Sequence, residues 1–308
     1  MCSDAPTHAF LGSRPRVLAR RSFSRRRAAK DPKNARIAAF RERVWRYWEG
    51  NGRHELPWRK TTDPYRVLVS EIMLQQTQVE RVVPFYQKFL RKFPNVEKLA
   101  NASLADVLKT WSGLGYNRRA KYLHDTARVI VEKRGGKIPT VYSELVALPG
   151  VGDYTAKAVR VFAFNEPDIL IETNIRTVFL QHFSHIWVYE TQISDRSVET
   201  IATKTAKRQD PRRWHWALMD YGAYLKRTGV RNNHKSAHYI RQSKFEGSLR
   251  QVRGAILRAL HSGTKTGSSL RSDLKNPQRS DLGKFRVALA SLVRDGLIRE
   301  QNDSWQIA

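Results

Sequence analysis

From Ile37 to about Arg241 apolar residues recur at helical spacing, and strand-like alternation is scarce. This pattern restricts the chain to an all-α body of short helices. Across residues 68–93 the apolar positions Leu68, Ile72, Val79, Val82, Val83, Tyr86, Phe89, Leu90 and Phe93 describe one buried helical stripe. If that helix breaks, Pro84 is the expected place. Similar periods run through 104–111, 122–131, 142–148, 155–164 and 175–183. Gly or Pro punctuates at Gly113, Gly115, Gly135, Gly136, Pro139, Pro149 and Gly150. The helical domain is placed at 37–242.

Residues 243–308 read separately. Val252, Ile256, Leu257 and Leu260 predict one helix, residues 270–274 a short second and residues 282–292 a third. Leu297–Arg299 and Trp305–Ile307 then flank a turn at Gln301-Asn302-Asp303. Three helices and a hairpin outline a small winged-helix-like domain, with a plain helical cap as the alternative.

The 56 Lys and Arg outnumber 28 Asp and Glu, giving a formal charge of +28 in 308 residues. A polyanion is the expected partner, because bound phosphates relieve that self-repulsion. Residues 1–36 hold ten Lys or Arg and two acids without a sustained apolar period, and read as a mobile basic arm. Its composition also suits an organelle transit peptide or a mis-assigned start. The remainder still carries +20, so basicity extends to the folded part. The single cysteine, Cys2, excludes an internal disulfide framework, a cysteine-held zinc site and a four-cysteine iron–sulfur cluster. No apolar run is long enough for a membrane span, and no membrane partner is expected.

The most specific stretch is Leu148-Pro149-Gly150-Val151-Gly152-Asp153-Tyr154-Thr155-Ala156. Two glycines between helices predict a tight hairpin whose backbone N–H groups, at a helix N-terminus, meet a phosphate. Gly150, Val151, Gly152, Thr155 and Lys157 are the expected contacts. Further upstream, Glu71, Gln75 and Gln78 stand at i, i+4 and i+7 of the expected 68–93 helix, a polar strip beside the buried stripe. A carboxyl at such an edge is partly desolvated and holds a proton near neutral pH. A second acid, Glu172, follows the apolar run Ile169-Leu170-Ile171. Spacing leaves it equally a helix cap or a buried functional carboxylate.

The Leu-Pro-Gly-Val-Gly hairpin resembles that of the helix-hairpin-helix DNA glycosylases, the superfamily of endonuclease III and MutY. Leu56-Pro57-Trp58-Arg59, Ser70-Glu71-Ile72-Met73-Leu74-Gln75-Gln76-Thr77-Gln78-Val79, Trp111-Ser112-Gly113-Leu114-Gly115-Tyr116 and Ala217-Leu218-Met219-Asp220-Tyr221-Gly222 resemble the MutY-like branch in the same order. The likeness spans about 40–226. It implies Glu71 as the acid that protonates the base, and Glu172, at the family's catalytic aspartate, as the stabiliser of the cationic sugar. Glu is one methylene longer than Asp.

Tyr154 stands where bifunctional relatives carry a Schiff-base lysine. A phenol cannot form that imine, so a monofunctional glycosylase without efficient strand cleavage is expected. The resemblance also places Gln75, Gln76, Tyr116 and Asn174 against DNA and puts Trp58 and Arg59 on the pocket wall. Relatives continue into four clustered cysteines where this chain has Lys226-Arg227-Thr228-Gly229-Val230-Arg231. Lys226 and Arg227 are expected to keep the phosphate-binding role without the cluster. No metal cofactor is expected, apart from a monovalent cation as a candidate at the 148–154 hairpin.

The implied function is base excision repair by release of adenine mispaired with G or 8-oxoguanine, from a base flipped out of the duplex. Thymine or uracil mismatch excision and a non-catalytic DNA binder are the alternatives. The expected partner is double-stranded DNA with a mismatched or damaged base, met by a monomer. The setting is cytoplasm or nucleoid in a bacterium, nucleus or mitochondrion in a eukaryote.

Overall fold

The computed structural model describes residues 32–238, 244–274 and 282–308; residues 1–31 of the expected basic arm lie outside them, while 32–36 open the first helix and do not belong to a mobile arm. The described residues form fourteen α-helices and three short strands. Helix α1 spans Pro32–Asn51, α2 Pro64–Leu74, α3 Val79–Lys92, α4 Val96–Ala100, α5 Leu104–Trp111, α6 Arg118–Arg134, α7 Tyr142–Val146 and α8 Asp153–Phe164. Helices α9 (Thr173–Phe183), α10 (Asp195–Ala206) and α11 (Pro211–Arg227) follow. Local chemistry sets many ends. Asp63 caps α2 through the N–H groups of Tyr65 and Arg66 with Pro64 beside it, and Ser103, Ser194 and Asp210 cap α5, α10 and α11 likewise.

Two lobes result. Helices α2 to α8 form one, in which α2 packs on α8 and α4 on α6; α1 and α9 to α11 form the other, in which α9 packs on α11 and α11 on α1. The apolar interior is one continuous cluster, with Trp111 and Phe89 fully buried in the first lobe and Trp214 and Phe179 in the second. Contact between α8 and α11 joins the lobes.

The 68–93 stretch is two helices, not one. The break lies at 75–78, while Pro84 sits inside α3 without ending it. The physical cause is Arg119, whose buried guanidinium donates to the Ile72, Met73 and Gln75 carbonyls at 2.9, 2.9 and 2.6 Å. Those acceptors would otherwise continue the helix ladder. Glu71 and Gln75 remain close, but Gln78 belongs to the start of α3, so the expected strip does not exist as one face.

The C-terminal unit follows the order α12 (Leu249–Leu260), β1 (Lys265–Thr266), α13 (Gly267–Asp273), α14 (Leu282–Arg294), β2 (Ile298–Gln301) and β3 (Ser304–Ile307). The strands form an antiparallel sheet ordered β1-β3-β2, which is winged-helix topology. Asn302 and Asp303 both take left-handed φ, 51° and 56°, as a two-residue hairpin turn requires. Strand β1 was not expected; two residues are too few to show alternation.

Candidate active site

Between the lobes lies a cavity of about 1220 Å³ whose walls include Glu71, Tyr154 and Glu172. Glu71 comes from the last turn of α2, Tyr154 from the first turn of α8, and Glu172 from the residue before α9. The approach to Glu172 is fixed by His215. Its Nε2 accepts the Leu170 N–H at 3.1 Å, and its Nδ1–H donates to the Pro211 carbonyl at 2.7 Å. Burial pushes this imidazole down to about 4, so it is neutral and can accept at Nε2.

Glu172 is a helix cap and a cavity residue at once. Its carboxylate accepts from the Asn174 and Ile175 N–H groups, both at 2.9 Å, and from Asn174 Nδ2 at 3.2 Å. Gly222 on α11 permits this placement, because a Cβ there would overlap the Asn174 carbonyl.

Burial, reinforced by the charge of Glu172, raises the Glu71 carboxyl to about 8, with Arg59 opposing. The Tyr154 hydroxyl is pushed well above its ordinary value by burial and then by Glu71 and Glu172. Glu71 therefore holds a proton at neutral pH, and Tyr154 stays an O–H donor. Arg59 is itself held by Asp220 through bonds of 2.6 and 2.9 Å, and Arg53 Nε reaches the same carboxylate at 2.6 Å. Burial would raise Asp220, yet the hydrogen bonds and charge of Arg59, with Arg53, hold it below the ordinary carboxylate range.

Trp58 and Arg59 do line the cavity, with Trp58 packed edge-on against Tyr86. Gln75 and Gln76 line it too, Gln76 exposed at φ 54°. Asn174, Lys226 and Arg227 are on the same wall, and Lys226 Nζ donates to Asn174 Oδ1 at 3.1 Å. Lys226 thus meets Asn174 in addition to facing the cavity.

Three expectations for the hairpin need correction. Thr155 is buried and accepts from Gln75 Nε2 at 3.3 Å, so it secures Gln75 and does not face a phosphate. Val151 is buried and its N–H is spent on the Leu148 carbonyl at 3.1 Å, so it is not an open donor. Of the two glycines, only Gly150 has positive φ, at 72°, where a Cβ would come within 2.5 Å of Tyr122; Gly152 is extended with open space around it. Lys157 pairs with Asp153 at 3.2 Å.

Tyr116 stands apart from the residues that line the cavity. Its φ is 49°, and the guanidinium groups of Arg119 and Arg250 lie over its ring, 5.2 and 5.3 Å from the centroid. Asp220, Arg53, His215 and Arg119 were not singled out from sequence. Asp220 lies in the Ala217–Gly222 motif, but its partners Arg53 and Arg59 are over 160 residues away.

The cluster that the resemblance implies does not fit residues 226–238, which supply no thiolate. Asn232 and Asn233 instead donate to the Thr177 carbonyl and Oγ1 at 3.1 and 2.9 Å, tying this segment to α9. At the 148–154 hairpin, the Leu148 and Pro149 carbonyls already accept from Val151 N–H and Thr126 Oγ1.

Residues 69–208 match the model of the HhH-GPD superfamily base excision DNA repair proteins. An adenine DNA glycosylase of Mycolicibacterium smegmatis is 33% identical over 272 residues, 83% of this chain and 92% of that one. The chain belongs to the adenine DNA glycosylase family. The family's protein from Buchnera aphidicola subsp. Baizongia pistaciae is 36% identical over 190 residues, and there the match spans 60% of this chain but only about half, 52%, of the relative. A solved structure of a thermostable thymine-DNA glycosylase is similar at 27% identity and TM-score 0.58, over 67% of this chain and 95% of that one.

Proposed function

We propose that this family member is a monofunctional DNA glycosylase that releases a mispaired adenine from duplex DNA. The observation that carries the proposal is the convergence of Glu71, Tyr154 and the helix-capping carboxylate of Glu172 on one cavity, where burial and Glu172 favour a proton on Glu71. Glu71 protonates N7 of the flipped base, which makes the base a better leaving group. The C1′–N9 bond then breaks with its electron pair passing to adenine. Glu172 stabilises the cationic sugar, as the second carboxylate of a glycosidase does. Water adds at C1′ and gives its proton to the Glu71 carboxylate, which restores the acid and leaves an abasic site.

Lys157 does not supply an imine-forming amine. Burial would lower its pKa, but the hydrogen bond and charge of Asp153 outweigh that and raise it. Borohydride should therefore trap no covalent protein–DNA adduct, whereas efficient trapping would overturn the monofunctional assignment.

The thymine-DNA glycosylase likeness supports one second reading, removal of a mispaired pyrimidine. Duplexes carrying A opposite G, A opposite 8-oxoguanine, T opposite G and U opposite G separate the two. Alkali-labile sites confined to the last two would overturn adenine as the substrate.

A further inference from the structure

The C-terminal unit is seated on the turn that carries Tyr116. Arg250, in the first turn of α12, donates from Nη1 to the Tyr116 hydroxyl and lies over its ring. Asp295, just past α14, accepts from Arg118 at 3.5 Å and from Arg253 at 2.5 Å. Lys121 packs against Gly296 so closely that a Cβ there would come within 2.9 Å of its Cε. Three separate contacts thus converge on the start of α6.

From inside the helical body, Arg119 also lies over the ring of the same tyrosine, 5.2 Å from its centroid, and donates to the Gly115 carbonyl at 3.1 Å. The same guanidinium bonds the Gln75 carbonyl and Thr77 Oγ1, so the turns bearing Gln76 and Tyr116 share one anchor. Tyr116 and Gln76 both sit in left-handed backbone, which is costly for residues other than glycine and persists only where surroundings hold it.

We propose that Arg250 is a positioning residue for Tyr116, and that the C-terminal unit serves to hold this tyrosine in the orientation with which it probes the duplex. The assignment rests on Tyr116 facing DNA, as the proposed function requires. Arg250 supplies both a hydrogen bond and a cation over the ring, an arrangement that costs the tyrosine side chain its rotational freedom before DNA arrives. Asp295 holds the unit that carries Arg250.

The test uses the full chain with Arg250→Met, Arg250→Lys and Asp295→Ala. In the free protein, amide hydrogen exchange in 113–117 should quicken at least fivefold in Arg250→Met and Asp295→Ala, with 150–158 unchanged. Unchanged exchange in 113–117, or quickening throughout the chain, would overturn the proposal whether or not the protein proves to be a glycosylase. With DNA, Arg250→Met should weaken binding to an A·G duplex about tenfold and to a matched duplex less than threefold. Arg250→Lys should recover part of that loss.

In a Tyr116→Ala background, Arg250→Met should change A·G binding less than twofold. Equal losses on matched and mismatched duplexes, or a full tenfold effect without Tyr116, would show a plain phosphate contact and refute the positioning role. Failure of the unaltered protein to release any base, with the exchange result intact, would count against the proposed function alone.

Discussion

At neutral pH the Glu71 carboxyl carries the proton that the proposed mechanism has it donate, because burial and Glu172 raise it to about 8. Base release under single-turnover conditions should fall as pH rises through about 8, and Glu71→Gln should lower it by about 10²–10⁴ while duplex affinity changes little. The same shift has a thermodynamic sign. The folded value lies above the ordinary 4.5, so the folded chain binds more protons between those values and stability declines as pH rises from about 4.5 to about 8. Gln cannot ionise. Melting curves should therefore show Glu71→Gln gaining more over the parent at pH 9 than at pH 5. A residue-scale limit on sequence also shows here: the desolvation of Glu71 was legible from its place beside a buried stripe. Its opposing partner chain, Arg59 to Asp220, was not, because no local period joins residues 161 positions apart.

Among the elements, glycines decide how near the helices come. Gly222→Ala would drive a Cβ into the Asn174 carbonyl, separating α11 from the start of α9. It should destabilise the fold by roughly 1–3 kcal/mol and displace Glu172, seen as a lower Tm with reduced base release. Gly150→Ala should cost about 1 kcal/mol or more from its positive φ, with weaker DNA binding, while Gly152→Ala should be tolerated. Fluorescence anisotropy with a labelled duplex distinguishes the pair. Where an apolar period was traced, helix existence was readable, with α5, α6, α8 and α9 falling where the spacing put them, whereas α1, α4, α10 and α11 were covered only by the general helical reading. The division of 68–93 was not, because the side chain that ends α2 comes from α6, more than forty positions downstream.

For the whole molecule, the +28 charge acts in opposite directions on its two equilibria. Added salt screens self-repulsion and should raise the melting temperature of the free protein, yet it should lower duplex affinity by weakening the release of counterions. Paired titrations of Tm and affinity against potassium chloride check both slopes. The three helices and the hairpin of the C-terminal unit were visible as three apolar periods and a turn. Its seat on the helical body was not, since Arg250, Asp295 and Gly296 carry no local signature of what they touch.

Glu172 spends its two oxygens on the opening peptides of α9 while looking into the cavity. In the proposed function, architecture and reactivity therefore draw on one functional group. Glu172→Ala removes the cap of α9 together with the acid and should lower the Tm, whereas Glu172→Gln keeps one oxygen to accept from the opening peptides and should remove the charge at a smaller loss of stability.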